Sequence, residues 1–152
     1  MEKDKTIEVL NTLITINNDR IEGYDTASKE TEEQDLKTMF AHLSSTSQKC
    51  NQELSAEVTK LGGTPAEGTK TTGKFFRVWM DVKAALTGKD RKTILNSCEF
   101  GEDMAKGTYA KVLKDDLENL SAEQQIMIKA QHTLLVGDHN VVKAMRDSLI
   151  TQ

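Results

Sequence analysis

The chain has 152 residues, a formal net charge of −4, a pI near 5.4, one proline and 5% aromatic residues. That is enough chain for one domain with its own core, and the scarcity of proline and aromatics argues for long helices over sheet. The mild acidity excludes nucleic acid as an expected partner, because phosphate neutralisation drives such binding. No run of about 18 apolar residues marks a membrane span.

The first helix is expected over roughly 3–28, with Ile7, Leu10, Ile14, Asn17, Ile21 and Tyr24 on one face at the 3.6-residue period. The second, roughly 31–61, carries Leu36, Met39, Leu43, Ser47, Cys50, Leu54, Glu57 or Val58, and Leu61. Gly62-Gly63 with Pro65 beyond is a C-terminal stop signal. A long crossover, 62–89, follows; within it Phe75, Phe76, Val78, Trp79, Val82 and Leu86 mark a short helix near 74–87. The third helix, roughly 90–119, carries Ile94, Cys98, Glu102, Ala105, Tyr109 and Val112. The fourth, roughly 122–150, opens with Ser121 and Gln124 spaced as a capping box. It carries Met127, Gln131, Leu134, Asp138, Val141, Val142, Met145 and Leu149. Two short turns flanking one long connection predict an all-α, up-down four-helix bundle of the ferritin-like kind.

Polar residues punctuate these stripes. Counted from turns near residues 29 and 120, at about 1.5 Å per residue, Asn17, His42, Glu102 and Asp138 or His139 come to one height in such a bundle. This favours a buried polar layer that fixes helix register, with Asn17, Glu102, Gln131 and Asp138 hydrogen-bonded to one another or to water. The alternative is a metal centre with Glu99 and Glu102 as oxygen ligands and His139 or His42 as nitrogen ligand, suited to iron, manganese or zinc. A di-iron bundle requires a Glu-x-x-His pair on each of two helices. Here Met39 precedes His42 by three and Val136 precedes His139 by three.

Cys50 and Cys98 lie among apolar residues at helical spacing and read as buried free thiols. The charged start, Met1-Glu2-Lys3-Asp4-Lys5, lacks the apolar core of a signal peptide, so a cytoplasmic protein is expected. No Walker, GxGxxG, GxSxG or HExxH motif is present.

Several stretches together resemble a known family: Leu10-Asn11-Thr12-Leu13-Ile14, Glu22-Gly23-Tyr24, Leu61-Gly62-Gly63-Thr64-Pro65, the W-x-D-x-K-x-A-x-T-G run from Trp79 to Gly88, Cys98-Glu99-Phe100-Gly101-Glu102-Asp103, and His139 followed by Lys143-Ala144-Met145-Arg146-Asp147. The chain is similar to a bacterial family of four-helix-bundle proteins in the ferritin-like superfamily, carried as a domain of unknown function. The resemblance covers nearly the whole chain and implies the bundle, the long crossover and no established reaction, with Glu99, Glu102 and His139 as the matching polar positions.

The expected function is that of a non-catalytic module acting through self-association as a homo-oligomer or through a protein partner, in a setting such as stress adaptation, with no cofactor. The alternative is a metal-binding protein or oxidase holding iron or manganese at Glu99, Glu102 and His139. A third reading is a small-molecule or lipid pocket lined by Phe75, Phe76 and Trp79.

Overall fold

The computed structural model describes residues 3–67 and 91–148. Among these the chain is all-helical: α1 (Lys3–Glu30), α2 (Gln34–Lys60), α3 (Arg91–Asp115) and α4 (Ala122–Asp147), with a 3₁₀ turn at Leu117–Asn119 before α4. The expected crossover helix at 74–87, its aromatic residues, the third reading's pocket and Leu149 lie outside the described residues.

α1 and α2 form one antiparallel hairpin, α3 and α4 a second, with α1 packing on α3 and α2 on α4. Two contacts fix how the hairpins meet. At one end Arg91, the first residue of α3, bonds Glu33 and Asp35 at the α1–α2 turn. At the other end the Thr6 hydroxyl donates to the Asn119 carbonyl beside the α3–α4 turn. α2 and α3 therefore run in the same direction. The Arg91 bridge holds the Asp35 carboxyl below its ordinary range, chiefly through the hydrogen bond itself. Asp35 is nonetheless more than half exposed, so the pair orients the helix start more than it stabilises the fold.

The termini follow local chemistry. Ser121 and Gln124 form the predicted capping box, each side chain bonded to the other's backbone N–H. α2 ends in a Schellman turn: Gly62 adopts φ +84°, its N–H bonds the Thr59 carbonyl and the Gly63 N–H bonds the Val58 carbonyl. A Cβ on Gly63 would sit 2.9 Å from Ile7, so this glycine also lets the turn close onto α1. Beyond it, Asn11 bonds Thr64 and Ala66 through both ends of its side-chain amide, seating the start of the connection on α1.

Three boundaries differ from expectation. α2 begins at Gln34 rather than near 31, because the Thr31 hydroxyl accepts from Glu33 N–H and makes a turn there. α1 runs two residues further than expected, to Glu30. α3 stops at Asp115 rather than near 119, where Asp115 and Asp116 place negative charge at the negative end of the helix dipole.

The core divides into two apolar clusters. One, toward the α3–α4 turn, gathers Leu10, Leu13, Ile14, Leu54, Val58, Ala105, Ile128 and Leu135 among others. The other, toward the α1–α2 turn, gathers Tyr24, Leu36, Phe40, Leu43, Ile94, Leu95, Cys98 and Val142. Polar residues separate them.

On α4 the buried stripe is Ile128, Gln131, Leu135, Asp138 and Val142. Leu134 and Val141, expected in the core, are instead 38% and 44% exposed. The helix carries two interleaved apolar stripes. The one that also presents Gln131 and Asp138 faces inward because those groups have partners there.

Replacing Gly62 with alanine is expected to lower stability by about 1 kcal/mol, the cost of forcing a Cβ into the left-handed region. Urea denaturation followed by circular dichroism measures it.

Candidate functional site

Between the two apolar clusters lies a charged centre built from all four helices. Arg20, on α1, has no solvent exposure. Its Nε donates to Glu102 Oε2 at 2.9 Å and its Nη2 to Glu102 Oε1 at 2.7 Å, a bidentate pair with α3. Nη2 also reaches Asp138 Oδ2 on α4 at 3.1 Å, and Nη1 donates to the Ser47 hydroxyl on α2. The Tyr24 hydroxyl, one turn along α1, donates to Glu102 Oε2 at 2.7 Å. The guanidinium carbon lies 5.6 Å from the Tyr24 ring centroid, within cation–π range. His42 Nε2 approaches Asp138 Oδ1 at 3.1 Å from the solvent side of the bundle.

Burial alone disfavours the charged guanidinium, but Glu102 foremost, then Tyr24 and Asp138, outweigh it and hold its pKa above the ordinary arginine value. Arg20 is therefore a fixed positive charge. Burial pushes the neighbouring Tyr24 phenol well above 10, the Glu102 carboxylate reinforcing this.

One layer nearer the α3–α4 turn is a second network, of neutral groups, that ends on the exposed Glu53 carboxylate. Asn17 Nδ2 donates to the Tyr109 hydroxyl at 2.8 Å, and Tyr109 donates to Gln131 Oε1 at 2.7 Å. Gln131 Nε2 donates to Glu53 Oε1 at 3.0 Å and reaches the Cys50 carbonyl. This chain too crosses all four helices. Burial raises the Tyr109 phenol well above 10. It also pushes the Cys50 thiol up to about 11 and the Cys98 thiol higher still, so neither buried thiol is a nucleophile at neutral pH.

A third cluster occupies the α3–α4 seam. His139 Nε2 lies 2.8 Å from Asp103 Oδ1 and 3.7 Å from Glu99 Oε1. Arg146 pairs with Glu99 Oε2, and Lys106 Nζ lies 3.5 Å from Asp103 Oδ1.

The structure thus separates residues that the sequence grouped by height. Glu102 turns into the bundle toward Arg20, whereas Glu99 and His139 meet at the seam with Asp103 as the third member. Asp138 and His42 pair with each other on the Arg20 centre, while Asn17 belongs to the neutral layer above it. The helical wheel explains the division. Residues i and i+4 lie closer in angle than i and i+3, so Glu99 shares a face with Asp103 more closely than with Glu102.

A metal centre in the bundle core does not fit these residues. Both oxygens of Glu102 are engaged by Arg20 and Tyr24, both oxygens of Asp138 by Arg20 and His42, and a guanidinium fills the space between.

Arg20 is the residue that sequence reasoning missed. Its position was marked, since Leu10, Leu13, Asn17, Arg20, Tyr24 and Ala27 recur at alternating spacings of three and four, and all are buried. An arginine in such a stripe reads as a solvated edge unless acidic residues on other helices are brought to its height.

The fold and its centre define a four-helix assembly closed around an internal arginine–carboxylate clamp. A family model described as Domain of unknown function (DUF2383) matches residues 5–115, and the chain belongs to that family. The match takes in Arg20, Tyr24, Ser47 and Glu102. No curated protein matches the chain.

Tyr24 and Tyr109 are the two tyrosines of the chain, and both have phenol pKa values raised by folding. Each contributes stability that is full below the unfolded value of about 10 and is lost as pH climbs through the higher folded value. In an alkaline titration, tyrosinate absorbance is expected to stay flat past pH 10 and then rise together with loss of helical circular dichroism. A normal titration near 10 in the still-folded protein would contradict the burial described.

Proposed function

We propose that the protein is a non-catalytic helical module that acts by self-association, through the outer face of α4. The carrying observation is the second apolar stripe of that helix. Ile126, Leu134 and Val141 are 68%, 38% and 44% exposed, and Ala130, Thr133 and Gly137 between them and Ala144 beyond are exposed as well. Large apolar side chains in a row along a face that carries no charge from Ile126 to Ala144 are what an association surface presents and what an isolated surface helix avoids. The interior supports a non-catalytic reading, because Glu102 and Asp138 are spent on Arg20 and the buried thiols have raised pKa values.

The helix directions, two hairpins with α2 and α3 parallel, support the ferritin-like arrangement expected from the sequence. Among the described residues no helix is long and apolar enough to cross a membrane. Two buried free thiols suit the reducing cytoplasm.

Sedimentation velocity across the micromolar range tests the reading. The unmodified protein is expected to run as a dimer or larger species, and Leu134→Lys combined with Val141→Lys as a monomer of unchanged helicity. A monomeric unmodified protein, or association indifferent to both substitutions, would refute it.

A further inference from the structure

We propose that Glu99, Asp103 and His139 form a binding site for a single divalent transition-metal cation, of the zinc or cobalt type, in the seam between α3 and α4. It lies outside the bundle core and is independent of the self-association reading.

His139 carries the argument. The residue is 8% exposed, and its Nε2 is buried without a hydrogen-bond partner. Asp103 Oδ1 is 2.8 Å from that nitrogen, but off the line along which an N–H would point, so the approach brings charge close without making a hydrogen bond. On the other side of the ring, Nδ1 lies 3.4 Å from Asn140 Oδ1. With the ring proton on Nδ1, beside that acceptor, the Nε2 lone pair faces two carboxylates. A buried lone pair and two carboxylate oxygens turned to one point favour a cation between them, beyond the Arg146 and Lys106 charges at the edges.

The spacing is close to that of ligands around one ion. Two donor atoms each about 2.1 Å from a common cation, at angles between square and tetrahedral, stand about 3.0–3.4 Å apart. The observed separations from His139 Nε2 are 2.8 Å to Asp103 and 3.7 Å to Glu99, and the three donor atoms all lie within 4.8 Å of one another.

The helices supply this geometry without strain. Glu99 and Asp103 are one turn apart on one face of α3, and His139 on antiparallel α4 stands opposite them. One nitrogen and two carboxylate oxygens form a mixed set that suits zinc, cobalt, manganese or ferrous iron. They leave part of the coordination sphere for water, as Asp103 is half exposed. Arg146 engages Glu99 through Oε2, leaving Oε1 on the His139 side. Lys106 shares Asp103 Oδ1 at 3.5 Å from a partly exposed position, where it can swing away.

The test uses the full chain after chelator treatment. Cobalt(II) chloride is titrated and followed by visible absorbance, and zinc chloride is then added as competitor. One cobalt per chain is expected, displaced by zinc. Asp103→Asn, half exposed and nearly isosteric, should keep the helical spectrum and weaken binding at least about tenfold. His139→Ala should abolish it, and His132→Ala, seven residues earlier on α4 and outside the trio, should leave it unchanged. Absence of binding, retention of affinity in folded Asp103→Asn, or loss in His132→Ala would overturn the proposal.

Discussion

A guanidinium ion removed from water must recover several kcal/mol through charge pairing and hydrogen bonds, and Arg20 recovers them from three other helices at once. Glu102, Asp138 and Ser47 are its partners, so its position imposes one height and one rotation on each helix. Apolar stripes alone would not do this. Leucine-rich helices can slide by a turn and still bury similar area, whereas a shift of one turn, 5.4 Å, would leave these charges unpaired in the interior. The clamp stands between two apolar clusters that supply the bulk of the burial, and the Asn17–Tyr109–Gln131 layer repeats the constraint with neutral groups.

The same clamp shapes the functional reading. In a bundle core with a metal centre, inward-facing carboxylates meet cations drawn from solution. Here the cation is covalently part of α1, and it engages the acidic groups of α3 and α4 permanently. The remaining candidates for recognition are displaced outward, to the α3–α4 seam and the outer face of α4. Fixing Gln131 and Asp138 inward turns Leu134 and Val141 to solvent, so interior register and surface character on α4 are one choice.

Much of this was legible in the sequence. The stripes of α2 and α3 appear at the expected positions, from Leu36 to Val58 and from Ile94 to Val112. The glycine stop and the capping box end and begin helices where their local chemistry requires. The height argument brought Asn17, His42, Glu102 and Asp138 or His139 to one level, and of these Glu102, His42 and Asp138 meet at the Arg20 centre. What it lacked was the residue that joins them, since an arginine is assigned to the surface unless its partners on distant segments are already known. The two stripes of α4 were indistinguishable by period alone, because only the pairing of Gln131 and Asp138 with other helices selects between them. The seam trio was half visible: Glu99 and His139 were singled out, while Asp103 was passed over for Glu102, which lies in the same helical turn but faces another partner.

The most direct measurement compares urea unfolding of the unmodified protein, Arg20→Met, and the triple variant Arg20→Met with Glu102→Gln and Asp138→Asn. Removing the arginine alone strands two buried carboxylates and should cost about 3–5 kcal/mol. Neutralising both carboxylates in addition should restore a large part of that loss. An Arg20→Met protein as stable as the unmodified chain, or a triple variant no better than the single one, would show that the four helices do not depend on this buried ion cluster.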